Sequence, residues 1–124
     1  MKVNNFRNYE LYRCSLDLTQ SIYKLMDKEK FFSSVERREF HKIAIFVPKL
    51  IASGIGQSNM KILFKRLNKV KDFLLELKNL SNLSHLKENK GYSYLLNEIE
   101  NNRLKVWKLL HGYFGWLKRS KKKE

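Results

Sequence analysis

Residues 60–77 read MKILFKRLNKVKDFLLEL. Met60, Leu63, Leu67, Val70, Leu74 and Leu77 recur at alternating spacings of three and four. That rhythm stacks them along one side of a helix turning about 3.6 residues at a time. A half-buried strand would instead repeat every second residue. The segment therefore reads as an amphipathic helix of about five turns with a single buried stripe.

The same rhythm continues outward in both directions. Before residue 60, Gly54 and Gly56 followed by Gln57, Ser58 and Asn59 combine a helix stop with polar residues suited to begin the next helix. Upstream, Phe40, Ile43, Ala44, Val47, Leu50 and Ile51 form a second stripe reaching Ile55. Pro48 lies within it, and its missing amide is expected to kink or weaken that helix. Ser33 with Glu36 three residues later has capping-box form and marks the helix start. Leu11, Cys14, Leu18, Ile22 and Leu25 give an earlier helix over residues 9–28.

Downstream, residues 79–91, NLSNLSHLKENKG, read as an ordered but irregular connection with Leu80, Leu83 and Leu86 over the bundle end. The last and longest helix begins near Gly91 and carries Leu95, Ile99, Val106, Leu110, Tyr113 and Leu117. Its stripe is interrupted once, at Asn102 or Arg103. Short connections between amphipathic helices predict an all-α, antiparallel up-down four-helix bundle over residues 1–119, with a basic tail at 120–124.

The composition agrees with this reading. A chain of 124 residues has room for one core, and 43% hydrophobic and 13% aromatic residues are too many for a disordered chain. One proline and five glycines suit few, short connections. Cys14 is the single cysteine, so no internal disulfide forms and a reducing cytoplasm is expected. The first residues lack the apolar run of a signal peptide, and no stretch approaches the roughly 18 apolar residues of a membrane span.

Catalytic patterns are missing from the sequence. His41, His85 and His111 fall in separate elements, none at a spacing that suggests metal binding or nucleophile activation. Glu36 and Glu39 beside Arg37 and Arg38 read as a solvated, salt-bridged surface rather than an acid-base pair. Gly54-Ile55-Gly56 lacks the glycine and lysine of a phosphate loop. The expectation is a non-enzyme with no cofactor and no metal.

Charge is the more informative property. Lysine and arginine number 26 against 12 acids, a formal net charge of +14, and such an excess repels itself unless a polyanion compensates. RNA or DNA is the expected partner. Lys61, Lys65 and Lys69 stand four apart opposite the apolar stripe, with Arg66 alongside, forming one basic ridge. Residues 101–124 hold eight basic groups and one acid: Arg103, Lys105, Lys108, Lys118, Arg119, Lys121, Lys122 and Lys123 extend the candidate contact set. Trp107 and Trp116, at helical spacing, read as core or subunit interface before base-stacking groups. Membrane binding is not expected, since the apolar faces are needed for the interior.

The order NFRNYELYRCSLDLTQSIYKL, FVPKLIASGIG, LNKVKDFLLELKNL, KLLHGYFGWLKRS resembles the four-helix bundle family first noticed in proteins encoded within intervening sequences of large-subunit ribosomal RNA. Pro48 and the small residues Ala52-Ser53-Gly54 carry that likeness, with Ser53 standing where an acid usually follows Ala52. The ending Gly112-Tyr113-Phe114-Gly115-Trp116-Leu117-Lys118-Arg119 is similar to the final helix of a branch of that superfamily, the accessory variability determinants of diversity-generating retroelements. The resemblance implies a homopentamer that binds a reverse transcriptase and its template RNA. The alternative it leaves open is a bundle scaffold of the ribosomal intervening-sequence type.

Overall fold

The computed structural model describes the backbone of residues 5–30 and 32–122, and their side chains except those of 5–8, 84 and 120–122. Helix α1 spans Asn5–Lys28, α2 Ser34–Ile55 and α3 Met60–Ser81; a short α4, Ser84–Lys87, and a 3-10 turn, Lys90–Tyr92, lead into α5, Ser93–Lys122. Among the described residues there is no strand. The chain is an all-α helical bundle, and α5 continues past the boundary that the sequence predicts for a separate tail.

Local chemistry sets the helix starts. Ser33 Oγ accepts from the Glu36 amide at 3.0 Å while the Glu36 carboxylate accepts from the Ser33 amide at 2.8 Å. This is the predicted capping box, and it satisfies two amides that a helix start otherwise leaves without partners. Asn59 Oδ1 accepts from the Lys61 and Ile62 amides at 3.0 and 3.3 Å, so the turn after Gly56 leads directly into α3.

The predicted stripes turn inward. Leu63, Leu67, Val70, Leu74 and Leu77 of α3 are fully buried, as are Phe40, Ile43 and Ile51 of α2, Ile22 and Leu25 of α1, and Ile99, Val106, Leu110 and Leu117 of α5. Full burial of a leucine-sized side chain contributes about 1.5–3 kcal/mol relative to exposure, so these stripes supply the main force holding the helices together. Leu86 of α4 is also fully buried, and Leu80 and Leu83 pack against the core. The connection is ordered because these leucines close the end of the bundle.

Helix α1 packs against both α2 and α5, α2 packs against α3, and α3 meets α5 more lightly. Between α1 and α5, Lys24 pairs with Glu98 at 3.0 Å and the Asn102 side chain donates to the Asp17 carbonyl at 3.4 Å. Between α2 and α3, Phe46 stacks on Phe73 and Arg66 donates to the Ser53 carbonyl at 2.9 Å. Phe64 stacks on Phe114 between α3 and α5.

Pro48 does not divide α2, which is continuous across it. A proline has no amide to donate to the carbonyl four residues back, here that of Ala44. The Thr19 hydroxyl of α1 donates to that carbonyl instead, at 2.6 Å.

Candidate nucleic-acid interface

The basic ridge lies on the outer side of α3. Lys61, Lys65 and Lys69 are exposed and Arg66 is half-buried. Lys65, Arg66 and Lys69 wall a groove of about 410 Å³ between α2 and α3, with Leu50 and Ile62 as its apolar lining and no carboxylate. Arg66 is held in place by its bond to Ser53. Lys61, Lys65 and Lys69 make no ion pair among the described residues, where the lysine and arginine pairs are those of Arg13, Lys24 and Arg103. The charge of Lys61 and Lys65 is therefore left for an external anion, while Lys69 also acts on the Glu76 carboxyl.

Helix α2 adds what the ridge alone lacks. Phe46 is 37% exposed and stacks on the nearly buried Phe73, with ring centroids 6.1 Å apart and planes inclined by 11°. Lys49 Nζ lies 5.6 Å from the Phe46 centroid, and Lys42 and Lys69 lie 5.8 and 5.4 Å from that of Phe73. Lys42, Phe46 and Lys49 lie outside the contact set that the sequence suggests. Their signal was present: spacings of four and three place them together on the side of α2 away from Phe40 and Val47. Near Phe73 the patch meets acids, since a hydrogen bond to Glu39 pushes the Glu76 carboxyl above its usual range, opposed by Lys42 and Lys69.

The α5 candidates fall elsewhere. Lys105 and Lys108 line a separate groove between α1 and α5 with Glu10, Arg13, Cys14 and Leu109. There Arg13 binds Glu10 at 2.6 Å and Asp17 at 3.2 Å, and its hydrogen bond holds the Glu10 carboxyl below the usual range. Burial, then the charge of Glu10, pushes the Cys14 thiol up. Lys118 and Arg119 are exposed. The side chains of Lys121 and Lys122, and all of Lys123, lie outside the described residues.

Arg103 requires correction as a contact residue. It is 4% exposed and its guanidinium grips Glu100 through two bonds of 2.6 and 2.8 Å. It occupies the core stripe between Ile99 and Val106, where a long side chain buries its stem and pairs its head. Trp107 and Trp116 pack against the core, Trp107 with Lys71 at 5.9 Å and His111 at 4.6 Å, Trp116 with Tyr113 at 6.2 Å.

Two further sequence expectations change. Glu36 and Glu39 do not form a salt-bridged surface with Arg37 and Arg38: Glu36 caps α2 and reaches His85, while Arg37 donates to the Glu29 carbonyl at 2.8 Å. His85 does have carboxylate neighbours, Glu29 at 3.3 Å and Glu36 at 3.1 Å, brought to it by the fold and not by local spacing. Among the described residues, no cluster of three or more His, Cys, Asp or Glu side chains is arranged to hold a metal ion. No helix among them is long and apolar enough to cross a membrane.

No family model matches the chain, and neither a curated protein nor a solved structure matches it.

Proposed function

We propose that this chain is a non-catalytic, cytoplasmic, nucleic-acid-binding accessory protein, an antiparallel up-down bundle acting as an oligomer beside a reverse transcriptase and its template RNA. The observation that carries the reading is the α2–α3 groove, with three cationic walls and no carboxylate in its lining. Phosphate is the anion best matched to such a row of unpaired cations, and an interface of this kind holds a backbone in place without reading base edges. Specificity then comes from RNA shape or from the polymerase. The antiparallel order is supported by contacts whose numbers fall on α1 as they rise on its neighbours, Lys24 with Glu98 and Asp17 with Asn102, Tyr23 with His41 and Thr19 with Ala44.

The reverse-transcriptase partner and the homopentamer rest on the resemblance of the basic, Gly-Trp-containing last helix to accessory variability determinants. A second reading, a bundle scaffold of the ribosomal intervening-sequence type, draws on the small-residue stretch after Pro48. There Gly54 admits α3 so closely that a Cβ would stand 3.3 Å from Leu67. A reverse-transcriptase gene beside the coding sequence favours the first reading, and a position inside a ribosomal RNA gene the second.

Affinity purification of the tagged chain from its own cells tests the proposal. Recovery of RNA together with a polymerase is expected, and recovery of neither overturns it.

A further inference from the structure

We propose that the α2–α3 face takes single-stranded nucleic acid, with a base against the Phe46 ring beside the groove and the flanking phosphates on Lys49 and on the groove residues Lys65 and Lys69. This rests on the nucleic-acid reading above and specifies its ligand.

The surface combines two features that a duplex does not need together. A duplex presents phosphates outward and keeps its base faces stacked inside, so a row of lysines alone would suffice to hold it. A single strand offers base faces as well, and proteins that bind such strands combine a cationic groove with aromatic rings. Phe46 is such a ring: it is more than one-third exposed, and stacking on Phe73 fixes its plane. Around the two rings stand Lys42, Lys49 and Lys69, none ion-paired among the described residues. In the absence of a ligand, an ammonium over a ring face gains a weak cation–π attraction. The flexible stem of Lys49 lets it leave the ring for a phosphate when a base arrives.

The groove itself is lined by Leu50, one turn after Phe46 on α2, and by Ile62, Lys65, Arg66 and Lys69, and Lys69 joins it to the ring pair through its contact with Phe73. At the Phe73 end, where Lys42 and Lys69 act on the hydrogen-bonded Glu39–Glu76 carboxyls, the acids disfavour phosphate, which directs the strand toward Lys65 and Lys61. The same face of a second copy fits the surface poorly, since it sets Lys65, Arg66 and Lys69 against their own like charges.

The test is fluorescence anisotropy with a short uridine-only RNA, the same backbone without bases, and the RNA annealed to its complement. Wild type should bind the uridine strand more tightly than the abasic strand or the duplex. F46L, with helicity checked by circular dichroism, should lose about tenfold in affinity for the uridine strand and nothing for the abasic one. F46Y, which keeps a ring, should retain the affinity. Equal binding of uridine and abasic strands, an unaffected F46L, or preference for duplex would overturn the base-stacking site. If paired K65E/K69E substitutions still abolished RNA binding in that case, the broader nucleic-acid reading would survive. No binding of any strand would remove both. Polyglutamate binding that is stronger than RNA binding and depends equally on Phe46 would assign the groove to an acidic protein instead.

Discussion

Thr19 Oγ1 donates to the carbonyl oxygen of Ala44 at 2.6 Å, the carbonyl to which residue 48 would donate if it were not proline. The hydroxyl on α1 thus stands in for a missing helix bond on α2, and one interaction both joins two helices and allows Pro48 inside one of them.

Replacing Thr19 by valine keeps the shape and removes the donor. Leaving that carbonyl without a partner should cost about 1–3 kcal/mol in urea denaturation. Pro48→Ala restores an amide donor, so it should be less harmful, or stabilising, in the Thr19→Val background than in wild type. Strictly additive effects in this cycle would show that the two residues do not compensate each other.

His85 joins α4 to the start of α2 and to the residue after α1, through Glu36 and the 3%-exposed Glu29. The hydrogen bond to Glu36, then that to Glu29, raises the His85 pKa from its ordinary value of 6.5 against the opposing effect of burial. A folded-state pKa above the unfolded one gives stability that is fully present below about 6.5 and is lost as pH rises through the folded value. Glu36 is shifted down, first by the Ser33 amide, so its contribution is present above the ordinary carboxylate range and lost as pH falls through its folded pKa. Thermal unfolding should therefore separate wild type from His85→Gln most in mildly acidic buffer, with the gap closing in alkaline buffer and again in strong acid. A gap independent of pH would show that His85 contributes through packing on Phe32 and not through charge.

Arg103 and Glu100 should separate stability from binding. Arg103→Met removes a buried charge that is already satisfied, and should change stability by no more than about 1 kcal/mol and leave RNA retention unaltered. Glu100→Ala strands the guanidinium; because the Glu100 side chain is 39% exposed, water offsets part of the loss, leaving about 1–2 kcal/mol. Chemical denaturation with a filter-binding assay on the same proteins checks both. Weakened RNA retention in Arg103→Met would return this residue to the contact set.

Local chemistry made much of the fold legible. The α3 stripe from Leu63 to Leu77 and the Ser33–Glu36 box depend on neighbours within one or two turns, and both appear as their spacing implies. Thr19 and Ala44 lie 25 residues apart and His85 and Glu36 lie 49 apart, so no periodicity connects them. The basic residues were visible, but a helical wheel does not show which helix lies next to which. Only the packing of α2 on α3 joins Lys65 and Lys69 to Lys42, Phe46 and Lys49, and only the position of α5 against α1 sends Lys105 and Lys108 to another face. Arg103 carried its own sign, a charged residue at a core position between Ile99 and Val106.

The cationic α2–α3 face is tested most directly by the salt dependence of RNA affinity in wild type and in a variant with Lys61, Lys65 and Lys69 changed to glutamate. Wild-type affinity should fall steeply and linearly on logarithmic axes. The variant should bind more weakly with a shallower slope, each lost single-strand phosphate contact removing about 0.7 from it, at unchanged helicity. Equal affinities and equal slopes for the two proteins would contradict a role for this face in holding nucleic acid.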